Sequence, residues 1–111
     1  MIKVVVLLRR PADWSRERFH RWWLDEHVAY GKKLPDLRKY RVCMVTGSTS
    51  HEGREPWDGI AELWFDDREA MTRAMSTPEA KTLHADGALF IGRIKSFTVE
   101  EKVIIPKDAR S

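Results

Sequence analysis

The stretch Ile2–Arg9, IKVVVLLR in one-letter code, decides the fold. It is apolar and rich in β-branched residues, which predicts a strand that ends before Pro11. Successive side chains of a strand point to opposite faces of its sheet, and here both sets are apolar. The two sets are Val4, Val6 and Leu8 on one face and Val5 and Leu7 on the other. Both faces of the sheet are therefore expected to be covered.

A helix is predicted next, over roughly Arg16–Lys33 with Ser15 as its N-cap. Its apolar residues recur at steps close to 3.6 residues, so they form one inward-facing stripe. The stripe comprises Phe19, Trp22, Trp23, His27, Tyr30 and Leu34. His27 brings an imidazole into this stripe, and two interpretations stand: a core histidine with one satisfied hydrogen bond, or a tuned acid or base.

The rest of the chain is predicted to add three strands and two short helices, from polarity alternation in the strands and capping residues at the helices. These elements are a strand over Leu37–Thr46, a strand over Trp57–Phe65, a helix over Arg68–Met75 opened by the Asp66/Glu69 pair, a helix from Thr77 to about Asp86, and a strand with an extended tail over Arg93–Ile105. A polar loop, Gly47–Pro56, joins the second and third strands, and its His51 is expected to be solvated. Gly87 and Gly92 are expected to bracket a turn.

The order βαββαβ predicts an α+β fold, a ferredoxin-like sandwich with helices on one face of a four-stranded antiparallel sheet. We expect a single domain over residues 1–105 and a C-terminal tail over 106–111. Because the helices cover only one apolar face, a second copy of the chain is predicted to cover the other through a two-fold contact. The sequence thus predicts a homodimer through the sheet face.

Composition limits the class of protein. The 111 residues suit one domain, and the single cysteine, Cys43, cannot form an internal disulfide. No secretory leader is recognisable, and the longest apolar run, Val4–Leu8, is far shorter than the roughly 20 residues of a membrane helix, so a cytoplasmic protein without membrane contact is expected. The 20 basic residues are interspersed with 17 acidic ones, which predicts no nucleic-acid partner. The four histidines lack the spacing of metal ligands, so no metal is expected.

Four features occur together along the chain: Trp22 followed five residues later by His27, the run LPDLRKY at 34–40, the run DGIAELWFDD at 58–67, and the pair Phe90-Ile91. In this combination the chain resembles the EthD family of the dimeric α+β barrel superfamily, over roughly residues 2–100. The resemblance implies a two-chain barrel with a small-molecule cavity in each chain, between sheet and helices. It also implies that no metal, flavin or other cofactor is used.

The resemblance maps the family's first-helix histidine onto His27 and its second-strand tyrosine onto Tyr40. The residues themselves agree, because a stripe facing the sheet points His27 inward and Tyr40 shares a strand face with Val42 and Met44. A neutral imidazole can take a proton next to a carbonyl, and a phenol can donate to the developing oxyanion. The alternative is that Tyr40 merely hydrogen-bonds His27 in the core.

Further residues are expected to contact a small-molecule ligand: Trp23, Tyr30, Leu63, Phe65 and Phe90. Glu62 is a carboxylate in an apolar strand; it is either an acid with a raised pKa or, since alternation puts it opposite Leu63, an ion-pair partner at the interface. His84 and Asp86 are expected either at the cavity mouth or on the surface. Isomerase-like relatives carry a thiol where this chain has Leu63, which weighs against muconolactone isomerisation.

Two function classes remain open. The first is a cofactor-independent small-molecule enzyme, an isomerase, lyase or oxidoreductase that acts on an apolar or aromatic oxygenated compound. The second is a non-catalytic binding or carrier module with the same fold and pocket. An RNA-recognition domain shares the βαββαβ order, but its basic and aromatic third-strand signature is absent from Trp57–Phe65.

Overall fold

The computed structural model describes residues 1–47 and 57–106. The expectations for His51 and for the tail at 107–111 fall on residues outside these ranges. Within them the chain forms nine elements in order: β1 (Ile2–Arg9), α1 (Arg16–Trp22), a π-helical turn (Trp23–His27), α2 (Val28–Gly31), β2 (Lys39–Met44), β3 (Gly59–Phe65), α3 (Arg68–Met75), α4 (Pro78–Phe90) and β4 (Arg93–Val99). None of the described helices is long and apolar enough to span a membrane.

The four strands form one antiparallel sheet in the order β2-β3-β1-β4. The predicted ferredoxin-like α+β fold is therefore confirmed. Its hydrophobic core lies between the helices and one face of the sheet, where Val4, Leu8 and Leu63 meet helix residues such as Phe19 and Trp23.

The pairing register places side chains from all four strands in rows on this helix-facing side. One row runs from Tyr40 through Leu63 and Val4 to Thr98. The next row runs through Val42, Ala61, Val6 and Ser96. Because successive side chains of a strand point to opposite faces of the sheet, Tyr40 shares its face with Val42, as predicted, and points toward the helices.

The helix boundaries required two corrections. Asp67, not Asp66, caps α3, since its Oδ1 accepts the N–H of Ala70 at 2.8 Å. Asp66 instead forms an exposed ion pair with Arg38. The prediction that α4 ends near Asp86 is also wrong, because the helix continues to Phe90.

Gly87 explains the error at α4. A Cβ on Gly87 would lie 3.1 Å from Cδ1 of Ile91 and 3.5 Å from Cε1 of His27. Gly87 thus lies buried inside α4, in tight contact with Ile91 and in ordinary contact with His27, whereas a glycine at that position in a sequence more often marks a helix end.

The sheet face away from the helices carries a charged cluster. Glu62 forms ion pairs with Lys3 and with Arg41, whose Nε lies 2.8 Å from Oε1. Burial by itself would raise the pKa of Glu62, but hydrogen bonds from Arg41 and Lys3 outweigh burial and hold this pKa below its ordinary value. The structure thus places Glu62 as an ionised pairing partner on the far face, and the acid role considered for it is a wrong prediction.

Asp58, just before β3, forms hydrogen bonds with the segment that follows β1 and with helix α1. Its side chain is 5% exposed and accepts hydrogen bonds from the backbone N–H of Arg10 at 2.9 Å, from the Arg10 guanidinium, and from Nε of Arg16 at 3.2 Å. Nε2 of His20 lies 2.8 Å from the Asp58 carbonyl oxygen. Burial tends to raise the pKa of Asp58, but the Arg10 and Arg16 contacts outweigh it and leave the pKa lowered.

We expect Asp58→Asn to lower the free energy of unfolding by about 2 kcal/mol, because an amide cannot replace a carboxylate that accepts several charged hydrogen bonds. A folded-state pKa below the unfolded value means that this stabilisation is present above about pH 4 and is lost as the pH falls through the folded pKa. Urea unfolding at neutral pH and near pH 3 tests both statements.

Asp66→Asn is the matched control, since its ion pair with Arg38 is exposed and its loss should leave the urea midpoint at neutral pH unchanged. A destabilisation by Asp58→Asn that is equally large at both pH values would contradict the assignment.

Candidate functional site

A cavity of about 560 Å³ lies between the helix-facing side of the sheet and the helices. This volume is within the range of small-molecule sites. Its walls are mostly apolar, with a few hydroxyl and imidazole groups among aliphatic and aromatic side chains. The lining residues are Val4, Val6, Leu8, Trp23, His27, Tyr40, Ala61, Leu63, Met71, Met75, Leu83, His84, Gly87, Ala88, Ile91, Ile94, Ser96 and Thr98.

The π-helical turn places two of these residues in the cavity wall. The N–H of Val28 donates to the carbonyl oxygen of Trp23, a spacing of five residues in place of the usual four. Such widened turns are rare and frequent at functional sites. Here Trp23 and His27, at the two ends of the turn, both line the cavity, and both are buried. Periodicity at 3.6 residues predicts the inward stripe but gives no sign of this wider turn.

His27 is held by a buried carboxylate. Its Nδ1 lies 2.7 Å from Oδ2 of Asp86, and the two side chains are 9% and 15% exposed. Because a carboxylate only accepts, Nδ1 donates the proton, and in the neutral ring Nε2 is then the unprotonated nitrogen. The Trp22 ring packs beside the imidazole, with centroids 4.8 Å apart, which fixes the ring plane.

Tyr40 reaches the cavity from β2. Its ring lies against Gly31, where a Cβ would come within 2.8 Å of the hydroxyl oxygen, so only glycine leaves room for this phenol. Burial raises the pKa of Tyr40 above its ordinary value, and the neighbouring Trp23 indole acts in the opposite direction. The phenol is therefore neutral at physiological pH and is available as a hydrogen-bond donor.

The structure brings some of the predicted site residues together and separates others. His27, Tyr40, Trp23, Leu63 and His84 line one cavity. Asp86 lies behind His27 as its hydrogen-bond partner rather than at the cavity mouth. The alternative in which Tyr40 hydrogen-bonds His27 is not observed, since the partner of His27 among the described residues is Asp86.

Three predicted ligand contacts lie outside the cavity wall. Phe65 is fully buried in the core, and Phe90 packs against Trp14 and Trp22 with centroids 5.7 and 5.4 Å away. The ring of Tyr30 lies under Nζ of Lys33. These corrections share a cause: aromatic residues on a buried face fill the core as readily as they line a cavity, and sequence spacing does not separate the two.

The residues of the cavity wall that sequence reasoning missed lie on several elements, and those of α3 and β4 include its polar and thioether groups. Met71 and Met75 stand four residues apart on α3, a spacing that puts them on one helix face. Ser96 and Thr98 share a face of β4 with Ile94, which alternation along the strand could have identified. In residues 1–47 and 57–106, no three side chains among His, Cys, Asp and Glu are grouped as metal ligands.

The profile of the EthD domain matches residues 11–94. The chain belongs to the EthD family. It is 31% identical over 109 residues to a 4-carboxymethyl-4-methylbutenolide mutase from Pseudomonas reinekei, an alignment that covers 93% of this chain and all of the relative. The similarity to a mutase of this length supports a small-molecule enzyme of the EthD type.

Solved structures support the same family and fold. An EthD family protein from Bacillus halodurans superposes with a TM-score of 0.79 at 28% identity, covering 92% of this chain and 99% of that one. A dimeric protein of unknown function with a ferredoxin-like fold, from Bacteroides fragilis, superposes with a TM-score of 0.67 at 16% identity over 90% and 95% of the two chains. At this lower identity the likeness shows the fold alone.

The Asp86 contact predicts a single tautomer of His27. In the neutral ring of the natural protein the proton should reside on Nδ1, and Asp86→Ala should shift it toward Nε2 because the accepting carboxylate is gone. Long-range ¹H–¹⁵N NMR spectra of the histidine side chains distinguish the two forms. Asp66→Ala, which removes an exposed carboxylate remote from the cavity, is the control, and an unchanged His27 tautomer in Asp86→Ala would show that the contact does not orient the ring.

Proposed function

We propose that this chain is a cofactor-independent enzyme that isomerises a small, apolar oxygenated compound by proton transfer, with His27 as the base and Tyr40 as the hydrogen-bond donor. The observation that carries the proposal is the 2.7 Å contact between His27 and Asp86 at the wall of an apolar cavity. A buried imidazole with one nitrogen held by a carboxylate has its other nitrogen available to accept a proton.

The proposed reaction balances without an oxidant. Nε2 of His27 removes a proton from a carbon next to a carbonyl group, and the electron pair moves onto the carbonyl oxygen. Tyr40 donates a hydrogen bond to that developing oxyanion, while Asp86 stabilises the imidazolium that forms. The imidazolium then returns the proton to a different carbon of the conjugated system, which shifts the double bond and restores the neutral base.

The relative from Pseudomonas reinekei supports a small oxygenated compound as the substrate. Its name describes a mutase that acts on a butenolide, an unsaturated lactone, with methyl and carboxymethyl substituents. An unsaturated lactone has the carbonyl group and the acidic C–H that the proposed step requires. The relative's own substrate is therefore the first compound to test, although Leu63 stands where isomerase-like relatives carry a thiol.

Mutation of the proposed base and donor should separate chemistry from binding. On a lactone that the natural protein turns over, we expect His27→Ala to lower kcat by about 10²–10⁴-fold because no other base replaces Nε2. Tyr40→Phe should lower kcat by about 10²-fold, the effect of removing one oxyanion donor. Reaction in D₂O, followed by NMR, should introduce deuterium into the product.

Thr82→Val provides the comparison, since Thr82 is exposed on α4 outside the cavity wall and this variant should retain kcat within a few-fold. Unchanged turnover in both His27→Ala and Tyr40→Phe would overturn the proton-transfer mechanism. Tight binding of unsaturated lactones, with no chemical change on prolonged incubation and no deuterium uptake, would instead favour the carrier function.

We also propose that two copies of the chain associate through the sheet face away from the helices. On this face Val5, Leu7 and Ile60 are only half-buried, and Phe97 is 42% exposed. Exposed apolar area that is rimmed by charged groups, here the Glu62 ion pairs, is typical of an interface. The fold relative from Bacteroides fragilis is described as dimeric, which agrees with the proposal.

A charge placed in this face should dissociate the dimer. Leu7→Glu puts a carboxylate among apolar side chains, and burying an unpaired charge costs several kcal/mol. Light scattering after size-exclusion chromatography should give twice the chain mass for the natural sequence and the mass of one chain for the variant. Leu89→Glu, on a helix position that is 75% exposed, should remain dimeric. A monomeric natural protein at micromolar concentration would refute the proposal.

A further inference from the structure

The cavity has a mouth that differs in chemistry from its interior. Two elements form this opening: α4 contributes His84 and Ala88, and β4 contributes Ile94, Ser96 and Thr98. All five residues line the cavity and are also solvent-exposed, whereas Trp23 and His27 are buried. Tyr40 lies on β2, at the opposite edge of the sheet from β4, so a ligand whose oxygen function accepts from Tyr40 has its other end near the α4–β4 opening.

The polar groups at this mouth are largely without protein partners. Within residues 1–47 and 57–106, no hydrogen bond engages the His84 ring or the Ser96 hydroxyl. The Thr98 hydroxyl contacts only the thioether sulfur of Met71, at 4.0 Å, which is a weak acceptor. Three donors are thus free to bind an oxygen-bearing group that enters the mouth.

The cavity has a polar group at each end, Tyr40 in the interior and Thr98 at the mouth, and the strand register gives the distance between them. Tyr40 and Thr98 lie in the same row, on the two outer strands of the four-stranded sheet. Three strand spacings separate them, which is about 14 Å. The floor between them is apolar, formed in that row by Leu63 and Val4. A ligand that contacts both ends has an apolar middle.

Within the part of the chain that the structure describes, the cavity wall carries no charged side chain that would repel an anionic group at the mouth. No Asp, Glu, Lys or Arg side chain lines the cavity among the described residues, and the nearby carboxylate of Asp86 is engaged by His27. An entering carboxylate therefore meets hydrogen-bond donors and no competing acidic wall residue. Hydrogen bonds to a charged acceptor are about twice as strong as those between neutral groups.

We propose that His84, Ser96 and Thr98 form a subsite for a carboxylate, which the substrate carries at the end opposite its reacting carbon. The inference rests on the proposed function for the placement of the reacting end and extends it to the substrate class: an apolar ring compound with an oxygen function at one end and a carboxylate at the other.

Two-ring probes test the subsite without knowledge of the natural substrate. The carboxylate of 6-hydroxy-2-naphthoate should reach the mouth while its hydroxyl lies near Tyr40 and His27. The probe 2-naphthol lacks the carboxylate, and the methyl ester replaces it with a neutral, slightly larger group. By isothermal titration we expect the naphthoate to bind about 10-fold more tightly than either neutral probe, the effect of one to two charge-assisted hydrogen bonds.

Removal of the donors should abolish that preference. In the variant that combines His84→Ala, Ser96→Ala and Thr98→Val, the naphthoate should bind no more than about 2-fold more tightly than 2-naphthol. Each single variant should lose part of the preference. The affinity for 2-naphthol should not change, which also reports that the cavity is intact. Thr82→Val, on the same helix as His84 but outside the cavity wall, is the matched control and should keep the natural preference.

Each of three results would overturn the subsite. These are equal binding of the naphthoate and the neutral probes, a preference that survives in the combined variant, and no binding of any probe at millimolar concentration. The tests remain separable from those of the proposed function. If His27→Ala is inactive but the natural protein shows no carboxylate preference, only the subsite is rejected. If the natural protein shows the preference but His27→Ala is fully active, only the proton-transfer mechanism is rejected.

Discussion

The packing of Trp23 against Gly59 is the constraint on which the rest of the site depends. The six-membered ring of this fully buried indole occupies the space where a Cβ on Gly59 would otherwise lie. The first helical segment can therefore approach β3 closely only because that strand begins with a residue that has no side chain. Once Trp23 is fixed, the wider π-helical turn that follows it determines where His27 points. The cavity and its base thus depend on one close contact between helix and sheet.

Glycines recur where the site is assembled, and each removes a side chain at a different contact. Gly59 accommodates Trp23, Gly31 accommodates the ring of Tyr40, and Gly87 packs tightly against Ile91 beside His27. The three aromatic rings are large, and they converge from a helix and a strand on a small volume. Close packing of protein interiors leaves few alternatives to a missing side chain at such points. Asp86, the residue before Gly87 on α4, lies within hydrogen-bond distance of Nδ1 of His27, so the same helix supplies a packing contact and the carboxylate partner of His27.

Much of the fold and part of the site could be predicted from the sequence, because short-range patterns carry them. The alternation of side chains along the second strand predicted which face Tyr40 occupies, and the apolar stripe of the first helix predicted that His27 points toward the sheet. Asp86 could not be recognised as the partner of His27, because the two residues are 59 positions apart and short-range patterns do not show which helices pack together. The aromatic residues Tyr30 and Phe90 were assigned to the ligand for a related reason, since hydrophobic spacing identifies burial and not what a buried residue touches.

Each face of the sheet has a largely buried carboxylate near it, and the two carboxylates have different kinds of partner. On the helix side, Asp86 is paired with an imidazole whose second nitrogen is an acceptor, so this pair can take part in a proton transfer. On the far side, Glu62 is paired with Lys3 and Arg41, which stay protonated, and its lowered pKa keeps it ionised. A carboxylate in an apolar strand is thus not by itself a sign of acid catalysis. The nature of the partner of the carboxylate decides, because an imidazole has a second nitrogen that can accept a proton from a substrate, whereas the ammonium of Lys3 and the guanidinium of Arg41 only donate hydrogen bonds.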